Sequence, residues 1–159
     1  MNPQFSKSYQ KSSVHTASPG QLVLMLYDGA LKFMTMAENG LELKNPRERN
    51  ETVNNNLIKA QNILAELQSS LDMKVQGDFP KTMFQLYDFM LRQLQQANIE
   101  KKKEPITVVY KMLKDIRDAW DEMLKKTAKE NAESAAAAAT ETEEKDPKSK
   151  IGGGLNVSA

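Results

Sequence analysis

The sequence predicts an all-α protein: an antiparallel up-down four-helix bundle with an N-terminal capping arm and a disordered C-terminal tail. Three observations carry that expectation. Helix-start chemistry recurs four times, at Ser18-Pro19, Asn45-Pro46, Asp78-Phe79-Pro80 and Glu104-Pro105. Behind the last three, apolar residues return at alternating steps of four and three, the period of a bundle seam. The connections between helices are roughly three to eight residues long, so successive helices run antiparallel. No alternating strand pattern competes.

The first helix is expected over residues 18–41. Ser18 is its N-cap, Pro19 sits where a missing N–H costs nothing, and Gln21 is placed to close a capping box. At about 100° per residue, Leu22, Leu26, Gly29, Phe33, Met36 and Ala37 form one stripe. Val23, Tyr27, Ala30 and Met34 widen it on one side and Met25 on the other, with Leu24 and Leu31 nearly opposite. A helix at the edge of a bundle normally shows one apolar face. This one is apolar around most of its circumference, so something besides its own bundle is expected to cover part of it.

The second helix, 46–73, opens with Asn45 as cap, Pro46 at its first position and Glu48 as the capping-box acid. Val53, Leu57, Ala60, Leu64, Leu67 and Leu71 form its seam. The third, 79–101, starts from Asp78 and repeats the stepping at Met83, Tyr87, Met90, Leu94 and Ala97. Lys101–Lys103 suit its C-terminal end through the helix dipole. The fourth, 104–131, has a seam of Val109, Met112, Leu113, Ile116, Trp120 and Met123. Residues 1–17 read as a polar arm carrying the isolated apolar residues Phe5, Tyr9 and Val14. Residues 132–159 read as a flexible low-complexity tail, although Ala135–Ala139 could prolong the fourth helix because alanine has the best helix propensity.

Totals exclude several function classes. The 159 residues carry a net charge of +1, too little for bulk attraction to nucleic acid or to acidic membranes. There is no cysteine, hence no disulfide framework or thiol chemistry. The N-terminus lacks the apolar core of a signal peptide, and Asp28 and Lys32 break the Leu22–Ala37 run below membrane-spanning length. A cytoplasmic protein without membrane insertion is expected. His15 is the only histidine, and no phosphate loop, nucleophile elbow or zinc-ligand spacing occurs. The expectation is therefore no enzyme, no metal and no cofactor.

Subtracting the seams leaves apolar residues over. Ile58 and Ala65 lie about 80–100° from Leu57 and away from the seam, among Asn54, Asn55 and Asn62. Phe84, Phe89 and Leu91 flank the third seam and are expected within a widened core. Eight methionines follow the first, and such side chains suit surfaces that receive an amphipathic or disordered partner. Gly29 costs a helix about 0.5–1 kcal/mol relative to alanine, which points to close approach of another helix or of the arm. Tyr9 has no local reason to sit in a polar segment; it is expected to insert on the bundle until a partner displaces it.

These residues resemble a known family. Tyr9-Gln10, then Val14-His15-Thr16-Ala17-Ser18-Pro19-Gly20-Gln21-Leu22 and Leu24-Met25-Leu26-Tyr27-Asp28-Gly29, are similar to the N-terminal signature of FliS, the flagellin export chaperones. Asn56-Leu57-Ile58-Lys59-Ala60-Gln61 with Ile63 and Leu67 resembles the family's second helix. Leu86-Tyr87-Asp88-Phe89-Met90, followed by Leu94, Ala97 and Asn98, resembles its third, and Arg117-Asp118-Ala119-Trp120 its closing motif. The resemblance spans residues 9 to about 126 in order and spacing. It implies an N-terminal segment packed as a cap, binding of the disordered C-terminal segment of flagellin, and presentation of that client to the flagellar export gate. As partner-binding residues it implies Tyr9, Leu22, Tyr27, Leu57, Ile58, Ala60 and Tyr87; Val14 joins them from the arm reading. A helical-bundle homo-oligomer, such as a homodimer, or an adaptor without a flagellin client is the alternative.

Overall fold

The structure is a computed structural model that describes residues 17–152, with side chains described through residue 143. Its described residues form four helices and no strand: α1 (Pro19–Leu41), α2 (Pro46–Ser69), α3 (Phe79–Glu100) and α4 (Glu104–Gly152). Contacts divide the chain into two compact units, Met1–Trp120 and Asp121–Ala159, so α4 belongs to both. The arm expected at 1–17, with Tyr9 and Val14, lies outside the described residues up to residue 16.

The caps behave largely as their chemistry dictates. Ser18 Oγ accepts from the Gln21 N–H at 3.2 Å, and Asn45 Oδ1 accepts from both Arg47 and Glu48 N–H groups. Asp78 occupies the N-cap of α3 but makes no side-chain cap bond, because its own backbone is already helical at φ −88° and ψ −12°. α2 stops at Ser69, four residues before the expected end. There the hydroxyls of Ser69 and Ser70 donate to the carbonyls of Glu66 and Leu67, occupying acceptors a further turn would need, and Asp72 Oδ1 then accepts from Lys74 N–H. Lys101 ends α3 in the left-handed region at φ 53°.

In the first unit the core is a single cluster drawn from all four helices. The expected seams of α2 and α3 are buried from Val53 to Leu67 and from Met83 to Ala97. On α4, Ile106, Val109 and Leu113 are buried, with Met112, Ile116 and Trp120 packed against them. The α1 stripe is corrected. Its buried residues are Tyr27, Ala30, Leu31, Met34, Ala37 and Gly40: Ala37 and Gly40 fall within the expected stripe, but Tyr27, Ala30 and Met34 come from the flank that widened it and turn the buried face toward that side. Leu31, expected opposite the stripe, is core. On a helix apolar almost everywhere, hydrophobicity cannot choose the inward side; the small residues Ala30, Ala37 and Gly40 do, by letting neighbours approach.

Side-chain bonds fix the register. Along α2 and α3, Asn98 Nδ2 donates to Asn54 Oδ1 at 2.8 Å, Gln61 Nε2 to the Leu91 carbonyl at 3.4 Å, and Gln68 Nε2 to the Phe84 carbonyl at 3.1 Å. Each rung is seven residues further on in one helix and seven back in the other, as antiparallel packing requires. Between α1 and α4, Trp120 Nε1 donates to the Gly20 carbonyl and Arg117 Nε to Asp28 Oδ1, both at 2.8 Å. Thr107 Oγ1 reaches Glu38 Oε1 at 3.3 Å near the opposite end.

In the second unit, residues 132–152, expected as a disordered tail beginning after residue 131, are helical through Gly152. Loss of the apolar pattern was not loss of helix. Asp121 and Lys125 pair one turn apart at 2.9 Å, and the hydroxyls of Thr140 and Thr142 bond back to carbonyls in the Ala136–Ala138 run. The side chains from Lys125 to Glu143 are all exposed, so they add no core. Deleting residues 132–159 is expected to leave the thermal midpoint of the bundle unchanged in a calorimetric scan while lowering the helical signal in circular dichroism.

Candidate functional site

The structure sorts the expected partner-binding residues into two groups. Tyr27, Leu57, Ala60 and Tyr87 are buried in the core and closed to a partner in this conformation. Leu22 is half-buried and Ile58 is 42% exposed. Tyr9 and Val14 fall outside the described residues. The buried four hold the scaffold; apolar surface is left on either side of α2, and more elsewhere at Phe79, Ile99 and Val108.

The scaffold role is clearest for the two tyrosines. Their hydroxyls meet at 2.7 Å in the core, tying α1 to α3. Burial pushes both phenols above the ordinary value of 10.0, partly opposed at Tyr27 and reinforced at Tyr87 by the hydrogen bond between them. Raised folded-state values mean that the unfolded chain loses these protons first. The stabilisation is therefore complete below pH 10 and is lost as pH rises toward the folded values. The thermal midpoint is expected to fall more steeply above pH 10 in the natural protein than in a Tyr27→Phe/Tyr87→Phe variant, measured from pH 8 to 11.

The first surface is the edge of α1 next to α2. Leu22, Met25, Gly29, Phe33 and Met36 fall within an arc of about 80°. Met25 and Met36 are exposed, while Leu22 and Phe33 are half-buried. α2 walls one side: a Cβ on Gly29 would lie 3.3 Å from Ile63 Cδ1, and Lys59 Nζ stands 5.4 Å from the Phe33 ring centroid, within cation–π range. The close approach expected at Gly29 is thus that of α2.

The second surface is the groove between α2 and α3. Its floor is the amide ladder, and its rims carry Ile58 and Ala65 on α2 and Phe84 and Leu91 on α3. Helical geometry puts Ile58 and Ala65 about 80–100° from Leu57, and Phe84 and Leu91 about 80–100° from the centre of the α3 seam, on the facing sides. Phe84 is 43% exposed and Phe89 is exposed as well, against the expectation that a widened core would take them; Leu91 is half-buried on the core. The α2–α3 amides draw the helices together beneath Phe84 and leave its ring outside, whereas Phe89 lies on the opposite flank of α3, away from α2. Sequence reasoning missed the ladder, although the heptad spacing of Asn54, Gln61 and Gln68 was its signal.

No group of three or more potential metal ligands occurs among the described residues, and no helix there is long and apolar enough to cross a membrane. No buried polar side-chain atom lacks a partner among them. Among the described residues the polar interior is satisfied and apolar side chains are left over on both sides of α2. The profile of the family described as "FliS: Flagellar protein FliS" matches residues 1–127. The flagellar secretion chaperone FliS of Bacillus subtilis is 40% identical over 77% of this chain and 88% of its own length. That of Salmonella typhimurium is 34% identical over 74% and 85%. A crystal structure of a flagellar chaperone from bacteria superposes with a TM-score of 0.60 over 77% of this chain and 97% of that one, at 21% identity, and supports the fold. The chain belongs to the FliS family.

Proposed function

We propose that this protein is a cytoplasmic export chaperone that binds the C-terminal segment of flagellin, blocks its premature polymerisation and delivers it to the flagellar export gate. The observation that carries the reading is the pair of apolar grooves flanking α2, lined by Leu22, Met25 and Met36 on one side and Ile58, Phe84 and Leu91 on the other. They lie on a bundle whose own core is complete. A disordered segment that folds into amphipathic helices has the shape such grooves accept. Ordering the segment offsets about 2–5 kcal/mol of the interaction, so the contact must be broad and apolar. Family membership supports the same reading, since the relatives are named flagellar secretion chaperones.

Tyr27, Leu57, Ala60 and Tyr87 enter this mechanism as the frame that spaces the helices. Binding relies on area more than charge, so it depends weakly on salt. Sedimentation of the full chain with and without a synthetic peptide of the flagellin C-terminus tests the reading. A monomer that gains one peptide's mass supports it. A tight homodimer indifferent to the peptide replaces it with the oligomer alternative.

A further inference from the structure

We propose that Met25 and Met36 form a reversible oxidation switch on the client-binding edge of α1, turned off by hydroperoxides; the proposal rests on the flagellin reading above. The chain has nine methionines and no cysteine, so thioethers are its entire sulfur redox chemistry. The described methionines range from enclosed to exposed, with Met83 almost wholly buried and Met112 half-buried. Met34 and Met90 are fully buried, whereas Met25 and Met36 are 41% and 42% exposed. Met25 and Met36 stand eleven residues apart, three helical turns, and so project from α1 in nearly one direction about 16 Å apart. Half-buried Leu22 and Phe33 lie between and beside them on the same strip.

The chemistry is a two-electron oxygen transfer. A sulfur lone pair attacks one peroxide oxygen and the O–O bond breaks as an S–O bond forms. Hydrogen peroxide leaves as water, and the thioether becomes a sulfoxide. Sulfur is oxidised by two electrons and the peroxide is reduced by two. The product replaces a soft apolar contact with a strong dipole in the middle of an apolar strip. A docked helix would have to bury that dipole unpaired or stand away from it. Reduction by methionine sulfoxide reductases restores the thioether, which makes the change a switch. Because the core methionines are enclosed, the fold survives the treatment that closes the surface.

The test treats the full chain with hydrogen peroxide, maps added oxygen by mass spectrometry, and titrates treated and untreated protein with the flagellin C-terminal peptide. Oxygen is expected at Met25 and Met36 well before Met34 or Met90, with affinity falling about tenfold or more and recovering after reductase treatment. Met73 and Met123 are also exposed and are expected to oxidise. A Met25→Leu/Met36→Leu variant keeps both, and from whatever affinity it starts it should retain that affinity after peroxide. An equal loss in that variant, no loss in the natural protein, or early oxidation of Met34 overturns the switch. Failure of the untreated protein to bind the peptide instead overturns the client reading, and the switch falls with it.

Discussion

Gly40→Ala is expected to destabilise the bundle by about 1–3 kcal/mol, the usual cost of forcing extra volume into a packed contact. Gly40 is buried near the end of α1, where the chain turns toward α2. A Cβ built there would lie 2.8 Å from Thr52 Cγ2 and 3.3 Å from both Thr52 Cβ and Val53 Cγ2. Both neighbours are β-branched and stiff at χ1, so neither can rotate away cheaply. Gly29→Ala is the internal control. Its new methyl would meet only the flexible end of Ile63 at 3.3 Å, and the gain of about 0.5–1 kcal/mol in helix propensity offsets that pressure. Chemical denaturation of both variants checks the contrast. Equal losses would show that the α1–α2 contact yields more readily than these distances imply.

Ile58→Lys is expected to weaken binding of the flagellin C-terminal peptide by about ten- to a hundredfold, since burying an isoleucine is worth roughly 1.5–3 kcal/mol. Helix content and thermal midpoint should stay near those of the natural protein, because Ile58 is 42% exposed and lies outside the core cluster. Leu57→Lys, one residue earlier, should instead unfold the bundle: Leu57 is fully buried. Circular dichroism with calorimetric titration separates the two outcomes. Unchanged affinity in the Ile58 variant would move the client away from the α2–α3 groove. A collapsed helical signal would show that Ile58 supports the fold.

Legibility in the sequence followed the strength of each local signal. The α2 and α3 seams were readable because each helix is apolar on one side only, and a three-four stepping then has a single solution. Helix starts at Ser18 and Asn45 were readable for a similar reason: a short polar side chain followed by proline has few other uses. α1 was readable as a helix but not in its orientation. When most of the circumference is apolar, the inward face is decided by steric fit at Ala30, Ala37 and Gly40, which is a property of pairs of helices. The continuation of α4 past Asn131 was legible only as far as the Ala135–Ala139 run, whose helix propensity is high; the charged residues that follow carry no apolar period, yet they too are helical through Gly152.

The site was legible in part. Ile58 stood out because it interrupts a polar flank, and Met25 because it broadened an already apolar helix. Phe84 and Phe89 misled in the opposite direction, since large aromatic side chains usually pay for themselves by burial. Tyr27, Leu57, Ala60 and Tyr87 carry the family signature but sit in the interior. A signature records what the fold and the function need together, and only coordinates separate the two.

The rungs between α2 and α3 also act as a graduated scale with an ambiguity built in. Sliding α3 along α2 by one to six residues would separate Asn98 from Asn54, while Gln61 and Gln68 accept only main-chain carbonyls as partners, which recur on that face every turn. A slide of seven, about 10.5 Å at the rise of an α-helix, would realign two of the three. Apolar seams that repeat every heptad would tolerate that slip almost as well. The Tyr27–Tyr87 contact occurs once, and the same slip would pull its hydroxyls apart and strand both in the interior. The repeating marks give fine alignment and the solitary one gives the zero. Together they admit one setting of the bundle, which keeps the two grooves beside α2 at a constant spacing.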